Sequence, residues 1–203
     1  MPEEIVDAKR VLGLELPTDP RWVNMAEISL EDILTDHAFC ELKAATQCIS
    51  LISTYSYHEE LVSEVTPVVS EEWGHFRLVL KEMDKRGLKL GKQRKDIYVN
   101  ELIKFQKGGG SLEDRLLEKL ITFALIEARS CERFRLLSLH ISDESLKEFY
   151  HKFMVSEAGH YKMFLSLAKL YCGEERAMKR WDEYLAYEAE LMTRMETRGD
   201  RMH

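Results

Sequence analysis

The stretch EEWGHF, residues 71–76, sets Glu72 and His75 one helical turn apart in a segment whose apolar residues recur at helical spacing. Residues three and four apart share a helix face. Both polar groups therefore point with Val68, Phe76, Val79 and Met83 toward an interior where a lone charge is expensive. SEAGHY at 156–161 repeats the pattern, with Glu157 and His160 on the stripe that runs from Phe153 to Phe164.

Each pair has a carboxylate upstream at a matched distance. Glu41 stands 31 residues before Glu72, on a ladder with Ala38 and Ala45, and Glu127 stands 30 residues before Glu157, between Phe123 or Ala124 and Cys131. One ExxH alone is an ordinary surface pair. Four carboxylates and two imidazoles turned toward one interior are not packing, because buried like charges repel and each costs several kcal/mol to desolvate. Cations must neutralise them. Oxygen-rich ligation with one imidazole per ion suits Fe or Mn in a carboxylate-bridged pair, the arrangement of ferritin-like bundles. Glu71 competes with Glu72 as a ligand, and the spacing of the second copy favours Glu72. Glu132, five residues past Glu127, is expected on the solvent side or behind a ligand.

The rest of the 203 residues is organised around these units. With 45% hydrophobic and 32% charged residues, 10 Gly and 4 Pro, the chain suits one helical domain, soluble rather than disordered. A net charge of −7 excludes a generic polyanion binder. Cys40, Cys48, Cys131 and Cys172 form no CxxC or zinc spacing, no leader is evident, and no apolar run reaches the roughly 18 residues of a membrane span. A reduced, cytoplasmic protein without membrane association is expected. Residues 1–28, broken by Pro2, Pro17 and Pro20, read as an N-terminal arm. A first long helix is predicted over 29–57 from a Ser29 cap. A second runs to about Arg86, with Pro67 starting or kinking its main part. A basic connection follows, then a short helix at 97–106 and the break KGGGS at 107–111. A third long helix runs from the cap SLED to about His140, a fourth from Ser142 to Gly173, and a last, charged one over 174–197. The expected fold is all-α: a ferritin-like four-helix bundle at 29–171 with a long crossover between its second and third helices, plus an extra C-terminal helix.

The runs DHAFCELKAA (36–45), EEWGHF (71–76), ALIEARSCERF (124–134) and SEAGHY (156–161) resemble the bacterial tRNA 2-methylthio-N6-isopentenyladenosine hydroxylases, ferritin-like diiron proteins, over essentially the whole chain. The resemblance implies an O2-dependent monooxygenase acting on the isopentenyl side chain of the modified adenosine at tRNA position 37. It implies two Fe ions held by Glu41, Glu72, His75, Glu127, Glu157 and His160. It also implies an external two-electron donor, an apolar pocket, and no separate acid or base. The anticodon loop of tRNA is the expected partner, and the protein a monomer or small oligomer. Iron oxidation and storage, or peroxide scavenging, is the alternative that uses the same ligands.

For RNA contact the sequence offers Lys85, Arg86, Lys89, Lys92, Arg94 and Lys95, preceded by Lys81 and continued by Lys104 and Lys107. Tyr98 or Phe105 is a candidate for stacking on a base, and the glycines of KGGGS are a candidate phosphate cradle. His37, one turn before Glu41, is a candidate to hydrogen-bond a ligand. His58, His140, His151 and His203 need no role, and Trp73 and Trp181 are expected to pack.

Overall fold

The computed structural model describes residues 12–203; the part of the expected arm before Leu12 lies outside the described residues. Among the described residues there are seven helices and no strand: α1 (Arg21–Ile28), α2 (Leu30–Thr54), α3 (Glu59–Lys85), α4 (Ile97–Phe105), α5 (Leu112–His140), α6 (Glu144–Cys172) and α7 (Glu174–Arg194). They fall into two compact units, one of residues 24–95 and 198–202, the other of 12–23, 96–197 and His203. The repeat in the sequence maps onto this division, because each unit contains one Glu-bearing helix paired with one ExxH helix. No helix of the described residues is long and apolar enough to cross a membrane.

In the first unit α2 and α3 pack as a hairpin through a short link, in which the His58 amide donates to the Tyr55 carbonyl at 3.0 Å. Leu34, Ala38, Ala45 and Cys48 are buried on α2 and Tyr55 just past its end, and Val68, Val79 and Met83 on α3, as the periodicity predicts; Phe76 is half-buried. Pro67 lies inside α3 rather than at its start. It is exposed, so the carbonyl its missing N–H leaves behind can be solvated, and the helix continues. Gly87 at φ 68° ends α3: its amide donates to Asp84 and that of Leu88 to Met83, the two bonds of a Schellman turn.

The tetrad SLED occurs twice and behaves differently each time. At Ser111 the hydroxyl accepts from the Asp114 amide at 3.1 Å while the Asp114 carboxylate takes the Ser111 amide at 2.6 Å, a complete capping box. Ser29 makes no side-chain cap, because α1 runs directly into it and its amide is already bonded to the Met25 and Ala26 carbonyls. α1 itself replaces the end of the expected irregular arm.

The basic connection after α3 is strapped down rather than loose. The Lys89 amide donates to Glu31 (3.1 Å), the Gly91 amide to the Thr35 hydroxyl (3.2 Å), and Arg94 to the carbonyls of Asp32 and Asp200 (3.0 and 2.6 Å). The Asp36 carboxylate in turn accepts from Arg201 and from the Met202 amide at 2.9 and 2.8 Å. Gly199 lies so close to Met25 that a Cβ there would sit 2.2 Å from its backbone.

In the second unit α5 and α6 form the hairpin, α7 packs on both, and α4 packs on α5 and α7. The cap of α6 is Asp143, one residue beyond the expected Ser142: its carboxylate accepts from the Ser145 and Leu146 amides. Gly173 at φ 83° stops α6. Arg129 is fully buried and donates to both oxygens of Glu188 (2.8 and 2.9 Å), to Glu132 (3.1 Å) and to the Leu16 carbonyl (2.8 Å). Glu132 also accepts from the Thr18 amide and hydroxyl at 2.8 and 2.6 Å. Glu132 is therefore buried and fastens residues 16–18, contrary to the solvent-side expectation, because the arm brings it donors no helix period reveals. Desolvation works against the Arg129 charge, yet Glu188 and Glu132 outweigh it and hold its pKa above the ordinary value.

Removing one member of this network leaves a buried charge uncompensated. Glu188→Ala is expected to cost about 3–5 kcal/mol in urea unfolding; a midpoint indistinguishable from wild type would contradict the network's role.

Candidate metal centre and substrate surface

In the first unit α2 presents Glu41 and α3 presents Glu72 and His75, the turn of α3 setting the last two together. One ligand atom from each lies within 4.8 Å of the others. His75 Nδ1 is 3.4 Å from Glu41 Oε2 and 3.4 Å from Glu72 Oε2. Glu72 is 1% exposed and Glu71 is exposed, so burial separates the two adjacent carboxylates in favour of Glu72. His37 is fully buried with Nε2 2.7 Å from Glu41 Oε1, the ligand-side bond its spacing suggested. It fixes one oxygen of Glu41 and leaves the other facing His75.

The second unit repeats the arrangement. Glu127 comes from α5 and Glu157 and His160 from α6, again with ligand atoms within 4.8 Å of one another. His160 Nδ1 is 3.2 Å from Glu157 Oε2, and all three residues are buried. The negative field is felt next door: burial first, then Glu157, Glu132 and Glu127, push the Cys131 thiol up to about 12. Its Sγ donates to the Met154 carbonyl at 3.4 Å, so Cys131 is a packed thiol rather than a nucleophile.

The donor sets fit a metal. In each cluster two carboxylates share a desolvated volume with one imidazole, a concentration of oxygen donors whose desolvation and repulsion a cation would offset. Carboxylate oxygen with one nitrogen favours Fe or Mn over the thiolate-rich sites of zinc.

The basic residues fare unevenly. Lys85 and Arg86 both bond Glu82, at 2.8 and 2.9 Å, Lys104 bonds Glu101 at 2.5 Å and Lys107 bonds Glu183 at 2.9 Å. Burial raises Glu82, but the bonds from Lys85 and Arg86 outweigh it and hold the carboxyl below its usual range. Arg94 belongs to the strap described above. Lys89, Lys92 and Lys95 are exposed, and their ammonium groups meet no carboxylate among the described residues.

Several expectations are corrected here. Tyr98 is fully buried, donates to Glu188 at 3.2 Å and stacks on His203, so it offers no face to a base. Phe105 is stacked on Tyr187 at 4.0 Å with Arg180 over its ring. The glycines of KGGGS border a cavity of about 310 Å³, but Asp114 already takes the Ser111 amide at the start of α5. A Cβ on Gly110 would meet Asp114 Oδ2 at 2.5 Å, so Gly110 makes room for the carboxylate that caps the helix. His203 is buried with Nε2 2.8 Å from the Ser130 hydroxyl, not an idle outer residue. Trp181 packs as expected, whereas Trp73 is 48% exposed.

A helical fold with two buried Glu/Glu/His clusters is that of the ferritin-like oxygenases. A solved Synechococcus structure, "Protein 43 with aldehyde deformylating oxygenase activity", superposes with a TM-score of 0.87 at 31% identity, covering 94% of each chain. Within that class, the family described as tRNA-(MS[2]IO[6]A)-hydroxylase (MiaE) matches residues 5–203, and the chain belongs to it. The Pseudomonas putida tRNA 2-(methylsulfanyl)-N(6)-isopentenyladenosine(37) hydroxylase is 38% identical over 180 residues, 88% of this chain and 86% of that protein. The Salmonella typhimurium protein of the same description is 28% identical over 211 residues, covering 80% and 77%. The chain is an enzyme of this tRNA-modifying family.

Glu127→Ala is expected to lose bound iron while keeping its helical circular dichroism, since it removes a ligand and a buried charge together. Iron content equal to wild type would remove Glu127 from the ligand set. His37→Ala, which leaves every ligand in place, is expected to weaken iron binding by roughly 10- to 100-fold, measured by competition with a chelator.

Proposed function

We propose that this chain hydroxylates the isopentenyl side chain of 2-methylthio-N6-isopentenyladenosine at position 37 of tRNA, with O2 as co-substrate and an external two-electron donor. Glu41, Glu72 and His75 hold one iron and Glu127, Glu157 and His160 the other, in a dinuclear centre within a single ferritin-like domain. The observation that carries this reading is the Glu-plus-ExxH cluster, buried and repeated in both units of a chain that belongs to the tRNA hydroxylase family.

When bound, the iron pair supplies the activation of O2, one atom of which enters the allylic C–H bond while the other leaves as water. The protein supplies the remainder. His37 orients Glu41 from behind, and the half-buried rings of Phe76 and Phe123, each close in sequence to a ligand, supply apolar surface of the kind an oxidising site needs against water. No side chain is required as a general base. The reaction takes place in the cytoplasm, where tRNA is modified, and needs no membrane.

Position 37 belongs to a single-stranded loop, so presenting its base costs less than extracting one from a duplex. Incubating the iron-loaded, reduced protein with isopentenylated tRNA and O2 is expected to add one oxygen atom to the modified nucleoside, read by mass spectrometry after digestion. A nucleoside of unchanged mass would overturn the assignment. Mineral uptake with no RNA product would point to iron storage.

A further inference from the structure

Three tryptophans occur in the chain, and two are where tryptophan is usually found: Trp22 is 0% and Trp181 3% exposed. Trp73 is 48% exposed. It follows the ligand Glu72 on α3, turned from it by about 100° and raised by about 1.5 Å. Its ring lies against Phe76, centroids 5.3 Å apart, and Phe76 is half-buried. An aromatic ledge thus leads from the outer face of α3 toward the turn that carries Glu72 and His75.

The same face continues as Arg77 and Lys81, one and two turns further on. Both are exposed, and neither has a hydrogen-bond or ion-pair partner among the described residues. They share this with the ammonium groups of Lys89, Lys92 and Lys95 of the connection, whereas Lys85, Arg86, Arg94, Lys104 and Lys107 are each bound to a carboxylate. From Thr66 to Lys81 the residues of this face, Thr66, Val69, Ser70, Trp73, Arg77, Leu80 and Lys81, include no acid, and Asp84 is the first one on the face beyond them. Steps of four residues advance about 6 Å along the helix, comparable with the separation of successive phosphates on a nucleic-acid strand. Phe76 backs the ring on one side, and the hydroxyl-bearing Thr66 and Ser70 and the cations Arg77 and Lys81 lie along the exposed side, a pairing of aromatic face and positive charge that suits a base and its phosphates.

We propose that the outer face of α3 formed by Trp73, Arg77 and Lys81 docks single-stranded RNA, Trp73 stacking on an unpaired base beside the nucleoside that is modified while Arg77 and Lys81 hold the adjoining phosphates. Stacking on an exposed aromatic is how single strands are gripped irrespective of sequence, and an anticodon loop offers unstacked bases next to position 37. This surface rests on the tRNA reading above and specifies where the substrate lies. It adds to the exposed lysines of the connection a contact on a helix that carries two of the proposed ligands.

Because Trp73 is the one exposed tryptophan among the described residues, RNA binding has a direct signal. Titrating the iron-loaded protein with an isopentenylated anticodon stem-loop is expected to quench its tryptophan fluorescence. Trp73→Phe is expected to abolish most of the quenching while keeping affinity near wild type, since a phenyl ring still stacks. Trp73→Ala is expected to weaken binding on the order of 10-fold with unchanged melting temperature. Arg77→Gln with Lys81→Gln is expected to lower the slope of log affinity against log salt by about 1.4, at about 0.7 per phosphate on a single strand.

Wild-type protein that hydroxylates tRNA without fluorescence quenching, or variants that bind the stem-loop like wild type, would overturn this surface and leave the proposed function standing. Loss of activity in Trp73→Ala at unchanged RNA affinity would assign the face to another partner, such as the electron donor, and equally overturn it. Wild type that neither binds nor hydroxylates tRNA would overturn both.

Discussion

The cost of keeping carboxylates ionised away from water governs this molecule. Glu41 and Glu72 in one unit, and Glu127 and Glu157 in the other, are each buried in clusters with a single imidazole. Gathering such groups out of water costs desolvation and like-charge repulsion, which a bound cation would offset. Much else follows from holding them. These side chains sit on long helices that fix their direction, and His37 fixes an oxygen of Glu41. Cys131 is left as an inert thiol in the same negative field.

A different buried charge problem is solved within the protein itself. Arg129 stands two residues from Glu127, and its guanidinium is neutralised by the carboxylates of Glu188 and Glu132. α5 therefore carries both kinds of buried charge on neighbouring faces, one matched by a residue of α7 and one left for an ion. The Glu118–Arg180 pair, with the Tyr184 hydroxyl on the same carboxylate at 2.9 Å, repeats the self-contained solution further along α5 and α7. Self-matched pairs of this kind fix packing, whereas the Glu/Glu/His clusters bring carboxylates together in a donor set that suits a metal.

The sequence made the helices legible because their apolar stripes recur every three to four residues over more than twenty positions, and the ligand candidates legible because the same unit occurs twice. Single local signals were weaker guides. SLED caps α5 but not α2, since capping depends on whether the chain before Ser29 is itself helical. KGGGS suggested a phosphate cradle, and the decisive neighbour, Asp114, lay four residues away in plain view but with its side-chain direction unspecified. Lysines and arginines read as a uniform basic run, yet Arg94 is spent on Asp200, more than a hundred residues distant, and only tertiary structure reveals that. The exposure of Trp73 was likewise hidden, because a tryptophan beside a buried ligand looks like packing until its helix face is known.

The proposal that both carboxylate clusters hold iron is tested most directly by anaerobic titration of the metal-free chain with ferrous iron, following bound metal and melting temperature together. Saturation at two irons per chain, with the melting temperature rising as the buried carboxylates gain their counter-charge, is the predicted result. Saturation at one iron, or no binding with an unchanged melting temperature, would contradict it.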